Sequence, residues 1–289
     1  MSTALSLCRR IDAHSHGMHA ERDDLGGFRP PLMSSWGPDR GDPRGLIRQH
    51  GERGIEKVLV LDPPEVAFEL QAIFGEFAIP IPQIDMDRAF PADIDRLLSR
   101  GGRGIKFICP MHSYGDNRYF PLYEVLRNRG MLAVFHTGTL ADGLFKPKGV
   151  LGREDYVDIT HMRPAALDRI ARAFPDLKIL MAHFGNPWWE EAWTVLKSHR
   201  NIYADFSGGT ARAKSMAMWR ELFAPNGKLH TASASKLCFA SDSTHFIPGQ
   251  FGYTAMIEFY ERFYETLQLP AELRLRIDRE NILHLIGDE

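Results

Sequence analysis

Two histidines one residue apart, His14 and His16 in "IDAHSHG", are the first residues whose type and spacing suggest chemistry. In a β-strand side chains alternate faces, so the two imidazoles point the same way. A pair of neutral imidazoles is half of a site for zinc or a neighbouring divalent ion. On a loop the same pair is simply solvated, so the rest of the chain has to decide. Lys106, His136, His183 and Asp242 each interrupt a short apolar run at or near its carboxyl end. Burying such groups unpaired costs several kcal/mol in total. Three histidines and an aspartate converging on one point suit a divalent cation with a position left open for water.

The chemistry expected of that set is hydrolytic. A bound divalent ion acidifies water, Asp242 can take the proton and return it to a leaving group, and His183, if not a ligand, can donate a hydrogen bond to a carbonyl or carboxylate oxygen. A lactone, amide or related ester fits as substrate. With a small unsaturated or aromatic carboxylic acid, the same positive charge suits loss of CO₂, which makes a decarboxylase the alternative. A barrel that has lost its chemistry and only binds a small ligand is the third reading, and the completeness of the residue set argues against it.

These residues need a scaffold that brings distant strand ends together. Apolar or β-branched runs cover Ile11–His16, Lys57–Asp62, Phe77–Asp85, Gly104–Pro110, Met131–Gly138, Lys178–His183, Ile202–Phe206 and Leu237–Asp242. Several are almost continuously apolar, as parallel strands covered on both faces are. The third contains two prolines and is the weakest strand. Between the runs lie amphipathic stretches: Arg44–His50, Glu65–Phe74, "PADIDRLLSRGG", Leu122–Asn128, "RPAALDRIARAFPDL", Trp188–Ser198, Ala211–Phe223 and a stripe from Met256 to Leu267. Eight strand–helix units predict an α/β fold, a single (β/α)₈ TIM barrel, with a long loop after strand 1 and a helical tail at Ala271–Leu285. A doubly wound open sheet would carry a glycine-rich phosphate turn after its first strand, and "IDAHSHGMHAERDD" has none. The 289 residues read as one domain, 1–289, with no repeat or linker.

Composition narrows the partners. With 35 basic and 37 acidic residues the net charge is −2, which gives no footprint for nucleic acid or an anionic membrane. No apolar run is long enough to span a bilayer. Met1 to Arg9 is too short and too polar for a secretory leader, and three cysteines make no disulfide framework. A cytoplasmic enzyme acting on a small molecule is expected.

The segments "IDAHSH", "GIKFICP", "PLYEVLRNRGMLAVFHTGT", "AFPDLKILMAHFGNPWWEEA", "NIYADFSG", "LCFASDSTHF" and "RENILHLIG" together resemble the amidohydrolase superfamily, in its amidohydrolase-related (family 2) branch. That branch includes aminocarboxymuconate-semialdehyde decarboxylase-like enzymes, aromatic-acid decarboxylases and lactone hydrolases. The likeness runs from about Ile11 to Gly287. It implies that His14, His16, His136 and Asp242 bind a catalytic metal, zinc first and manganese second, and that His183 polarises substrate or orients water. It also implies a homodimer. Some decarboxylases of the branch replace the first histidine of the pair with glutamate, and this chain keeps both. In two-metal relatives a fourth-strand lysine is carboxylated and bridges the ions. Lys106 matches that context, but a single metal with Lys106 paired to a carboxylate is the reading preferred here.

Other residues rank lower. His112, Trp36 and Arg163 are candidate substrate contacts, with Arg29, Lys146, Lys148, Arg153, His161 and His245 behind them. His19, His50, His199, His230 and His284 read as solvated or capping residues. Trp188 reads mainly as helix packing, and Cys109 as a buried structural thiol.

Overall fold

A computed structural model describes residues 9–17, 42–140 and 158–288 of the chain. Its strands are β1 (Arg10–His16), β2 (Ile55–Val60), β3 (Ala78–Pro80), β4 (Gln83–Ile84), β5 (Gly104–Phe107), β6 (Leu132–His136), β7 (Lys178–Ala182), β8 (Ile202–Asp205), β9 (Leu237–Cys238) and β10 (Ser243–Thr244). All neighbouring strands pair in parallel, in the orders β10-β1-β2-β3 and β4-β5-β6-β7-β8-β9.

The two arcs meet inside the third and eighth staves of a barrel. At the third, Pro80 and Pro82 have no N–H to donate, so the ladder breaks there. Ile81 N nevertheless donates to Val60 O at 2.9 Å, and Lys106 N donates to Pro82 O at 2.9 Å, so this stave joins both neighbours. At the eighth, the expected run Leu237–Asp242 is regular only over Leu237–Cys238. Asp242 has φ 60, a left-handed conformation that no extended ladder accommodates. Ala13 N still donates to Phe239 O at 2.9 Å. The chain is therefore a TIM barrel of eight staves.

Alternation along the strands separates two cores. Ile11, Ala13, Leu59, Leu61, Leu132, Val134, Leu180 and Ala182 fill the barrel with Ile79, Ile81, Cys238 and Ala240. Their sequence neighbours, such as Val58, Val60, Ala133, Phe135, Ile179 and Met181, face the surrounding helices. Those helices are α1 (Pro43–Gly51), α2 (Pro64–Phe74), α3 (Pro91–Ser99), α4 (Phe120–Arg129), α5 (Ala165–Ala173), α6 (Trp189–Ser198), α7 (Gly209–Arg212), α8 (Met216–Phe223), α9 (Thr231–Ala234), α10 (Thr254–Leu267), α11 (Ala271–Leu275) and α12 (Asn281–Ile286). The helical tail ends the barrel: Ile282, Leu285 and Ile286 join the inner cluster. Among the described residues no helix is long and apolar enough to cross a membrane.

The single helix expected over Ala211–Phe223 is two. Ser215 is extended and its hydroxyl accepts from Met218 N, which starts α8 afresh. Ser215→Ala should therefore cost about 1 kcal/mol, read as a lower denaturation midpoint with unchanged slope. An unchanged midpoint would mean that α8 is held by Trp219 and Phe223 alone.

The long loop after β1, with Trp36, Arg29 and His19, lies outside the described residues, as do Lys146, Lys148 and Arg153.

Candidate metal centre

The carboxyl ends of β1, β5, β6, β7 and β8 and the turn before β10 supply one cluster of polar side chains. On β1, His14 is buried and His16 half-buried, with ring centroids 5.3 Å apart. Asp242 N donates to His14 O at 2.7 Å, which ties the turn to the strand. His183 and Asp242 both have left-handed backbones, φ 63 and φ 60, a conformation that non-glycine residues keep only where surroundings enforce it. Gly208 supplies the clearance between them. A Cβ there would lie 3.3 Å from Asp242 Oδ2 and 3.5 Å from His183 Nδ1, at φ +87.

His14 is the hub. Its Nε2 lies 3.3 Å from Lys106 Nζ and 3.6 Å from Asp242 Oδ1. Its Nδ1 lies 3.1 Å from Ser207 Oγ and 3.7 Å from Asp205 Oδ2. An ammonium only donates, so Nε2 carries the lone pair and Nδ1 the proton. That is the tautomer a metal-ligating imidazole needs, with its N–H turned to an oxygen behind it. His16 Nε2 lies 3.2 Å from Asp242 Oδ1, and its Nδ1 lies 3.3 Å from Asp62 Oδ1. His183 Nδ1 is 3.0 Å from Ser207 O, so it donates there and leaves Nε2 as the ring's acceptor.

Burial and neighbouring charge sort the protonation states. Burial, assisted by Lys106, pulls His14 down to about 3, so it is neutral. Burial and His183 hold His136 well below its usual value, and burial also lowers His183. Burial opposes charge on His16, but hydrogen bonds to Asp242 and Asp62 outweigh it and lift the pKa to about 10. Burial works against ionising Asp242 too, and is overcome by His16, His14 and His183, which hold it well below the usual carboxylate range. Asp205 sits at about 2 for the same reason, with the His14 contact prevailing over burial. Burial drops Lys106 to about 8.

The donor set fits a divalent cation. His14, His16 and Asp242 place ligand atoms within 4.8 Å of one another, and so do His14, His183 and Asp205. Asp205 Oδ2 is buried with no hydrogen-bond partner among the described residues, an orphaned carboxylate oxygen that a bound cation would satisfy. His136 belongs to neither set. Its Nε2 lies 3.3 Å from Thr139 O, and its ring stands 4.5 Å from that of His183.

The remaining expected contacts are placed elsewhere. Lys106 is buried at the cluster, yet its nearest polar contact is His14 rather than a carboxylate. Arg163 is not free for a substrate: its guanidinium pairs with Glu191 at 2.6 Å and lies over the Trp188 ring. His112 is half-buried, 6.3 Å from the His161 ring. His50, expected to be solvated, is fully buried against Tyr253, and His199 is buried against Asp168 at 2.7 Å. His245 is buried on Asp12 and does not face the cluster. Cys109 is a buried thiol pushed up to about 12 by burial. Sequence reading passed over Asp205 and Ser207 in "ADFSG" and Asp12 in "IDAHSH"; of these, Asp205 follows the same rule of a polar residue at an apolar strand end, whereas Ser207 lies just beyond that strand and Asp12 lies within β1.

A family model described as Amidohydrolase matches residues 11–287. No curated protein matches the chain. Among solved structures, an uncharacterized TIM-barrel protein from Bordetella bronchiseptica superposes with TM-score 0.63 at 18% identity, covering 96% of this chain and 98% of that one. An amidohydrolase from Burkholderia multivorans with bound zinc gives TM-score 0.62 at 14% identity, covering 97% and 99%. A dihydroxybenzoic acid decarboxylase from a Polaromonas species, with bound manganese and the inhibitor 2-nitroresorcinol, gives TM-score 0.58 at 16% identity, covering 97% of each chain. At these identities the likeness shows the fold.

Proposed function

The chain belongs to the amidohydrolase family, and on that premise we propose that it is a zinc-dependent hydrolase of a small carbonyl compound: a lactone, an amide or a related ester. The observation that carries this reading is the triad His14–His16–Asp242, with ligand atoms within 4.8 Å at the barrel mouth. The side chains of His16 and Asp242 are 27% and 32% exposed, so a substrate can reach them, whereas His14 behind them is closed to solvent.

His14, His16 and Asp242 would hold the cation, with His183 and His136 beside it. When bound, a divalent ion supplies positive charge for a carbonyl oxygen and acidifies water at the site. Asp242 then serves as proton acceptor and returns the proton to the leaving group. The Nδ1–H of His183 is committed to Ser207 O, so its neutral ring presents an acceptor and orients water. It can act as a donor to substrate only when protonated. Lys106, in the cluster's floor, contributes positive charge toward an anionic substrate oxygen. A lyase acting on an aromatic or unsaturated acid is the second reading, supported by the manganese-bound decarboxylase that shares the fold over nearly the whole chain.

Residues 1–289 act as one domain in this proposal, on a small molecule and with neither nucleic acid nor membrane as partner. Buried free Cys109 and Cys238 suit a reducing cytoplasm, and a homodimer is the assembly proposed.

The test is a product screen. Metal-replete protein is offered lactones, amides, esters and aromatic or muconate-type acids, with acid and CO₂ measured separately. Acid without CO₂ is the expected result; CO₂ alone would replace hydrolysis with the lyase reading. Metal analysis on the same sample should give about one ion per chain. Two ions together with a carbon dioxide adduct on Lys106, read by intact mass, would overturn the mononuclear site.

A further inference from the structure

Asp12 and His245 form a buried pair that the proposed chemistry does not use. Neither has exposed surface, and His245 Nε2 lies 2.8 Å from Asp12 Oδ2. Asp12 Oδ1 accepts from His14 N at 3.1 Å and from Ser241 N at 2.9 Å, while Oδ2 also accepts from Ser241 Oγ. Ser241 Oγ in turn accepts from Ser243 N at 3.1 Å. One carboxylate thus grips the backbone of a proposed ligand on β1 and the residue immediately before the proposed ligand Asp242. Among the described residues, His245 is the only basic side chain within ion-pair distance of it.

The histidine is itself held. Its ring lies flat on Tyr253, with centroids 4.5 Å apart and planes 15° apart. His50 Nε2 donates to His245 O at 2.7 Å, and His50 Nδ1 lies 2.8 Å from the Tyr253 hydroxyl. Among the described residues, His245 Nδ1 has no hydrogen-bond partner. The ring therefore has one hydrogen-bonding task, which is to present Nε2–H to Asp12.

We propose that His245 is a positioning residue, acting through Asp12 to set the separation between the histidines of β1 and Asp242. Without the Nε2–H, Asp12 is a buried charge facing only backbone amides and one hydroxyl. It then keeps its bonds to His14 N, Ser241 N and Ser241 Oγ but loses the ring that anchors Oδ2 from the far side, and its hold on the two backbone segments loosens. This proposal rests on the metal reading above. Outer partners of metal ligands typically account for about 10- to 100-fold in affinity.

The experiment measures Zn²⁺ and Mn²⁺ affinity by chelator competition, with thermal midpoints of the metal-free proteins, for wild type, His245→Phe, His245→Gln and Ser241→Ala. His245→Phe keeps the ring and loses the donor, and should bind each ion about 10- to 100-fold more weakly. His245→Gln restores an N–H donor and should recover most of that loss. Ser241→Ala should weaken binding with little change in midpoint, and carries the test if His245→Phe does not fold. Wild-type affinity in His245→Phe or Ser241→Ala would overturn the proposal. So would a glutamine variant with a native midpoint that binds as weakly as the phenylalanine variant. Wild-type protein that takes up neither ion defeats the metal reading itself, and this proposal with it, so the two failures are distinguishable.

Discussion

Asp242→Asn is expected to lower turnover by about 10³-fold or more while the barrel stays folded. The substitution preserves shape, so the bond from residue 242 N to His14 O and the turn it closes remain. What it removes is the negative charge that faces His14 at 3.6 Å and His16 at 3.2 Å. Both proposed tasks go with it: balancing a cation's charge, and taking up a proton that a carboxamide cannot accept. Turnover is measured on whichever compound the product screen identifies, and the fold by circular dichroism and the thermal midpoint. A folded variant with near-normal turnover would remove Asp242 from acid–base work and leave His183 as the remaining acceptor at the site.

The scaffold was legible in the sequence because its strands are buried on both faces. "KVLVLD", "LAVFHTG" and "KILMAHFG" cannot sit comfortably anywhere but between a packed barrel interior and a helical shell, and the structure divides their alternate residues between those two cores. The elements that were misjudged fail for local reasons. The strand at Leu237–Asp242 stops early because Phe239 N donates to Ile277 O and Ser241 N to the Asp12 carboxylate, before Asp242 turns left-handed, and no composition signal announces those partners. The helix over Ala211–Phe223 divides because Ser215 begins a new one, and that cap was readable.

Side chains that look like ligands stood out, and their supports did not. Asp12 lies two residues before His14, but the register with β2 shifts between Asp12 and Ser15, so alternation does not carry across and Asp12 stands opposite Val58 of the outer core. Asp205 ends a strand as His136 does, and His183 directly follows one. His50 stands four residues after buried Leu46, on the covered side of α1, where a solvated histidine has no place. Arg163 shows the opposite error. A guanidinium near the barrel mouth reads as an anion hook, but only the folded chain reveals that Glu191 already holds it.

His14→Ala should abolish stoichiometric metal binding, taking content from about one ion per chain to near zero, and turnover should fall with it. His14 is the residue shared by both sets of ligand atoms, His14–His16–Asp242 and His14–His183–Asp205. Its loss is therefore decisive whichever set holds the ion. The protein should still fold, because the imidazole's neighbours are Lys106, Ser207, Asp205 and Asp242 rather than core side chains. A polar space of that kind admits water, which can satisfy the groups left behind. Two companion variants assign the set. His16→Ala should empty the site as well, since His16 and Asp242 face the mouth. Asp205→Asn should keep an ion at reduced affinity, since Asp205 Oδ1 is engaged by the backbone N–H groups of His183 and Ser207. The reverse pattern, with metal kept in His16→Ala and lost in Asp205→Asn, would move the centre inward to His14–His183–Asp205. A folded His14→Ala protein that still binds a full equivalent would place the ion on neither set.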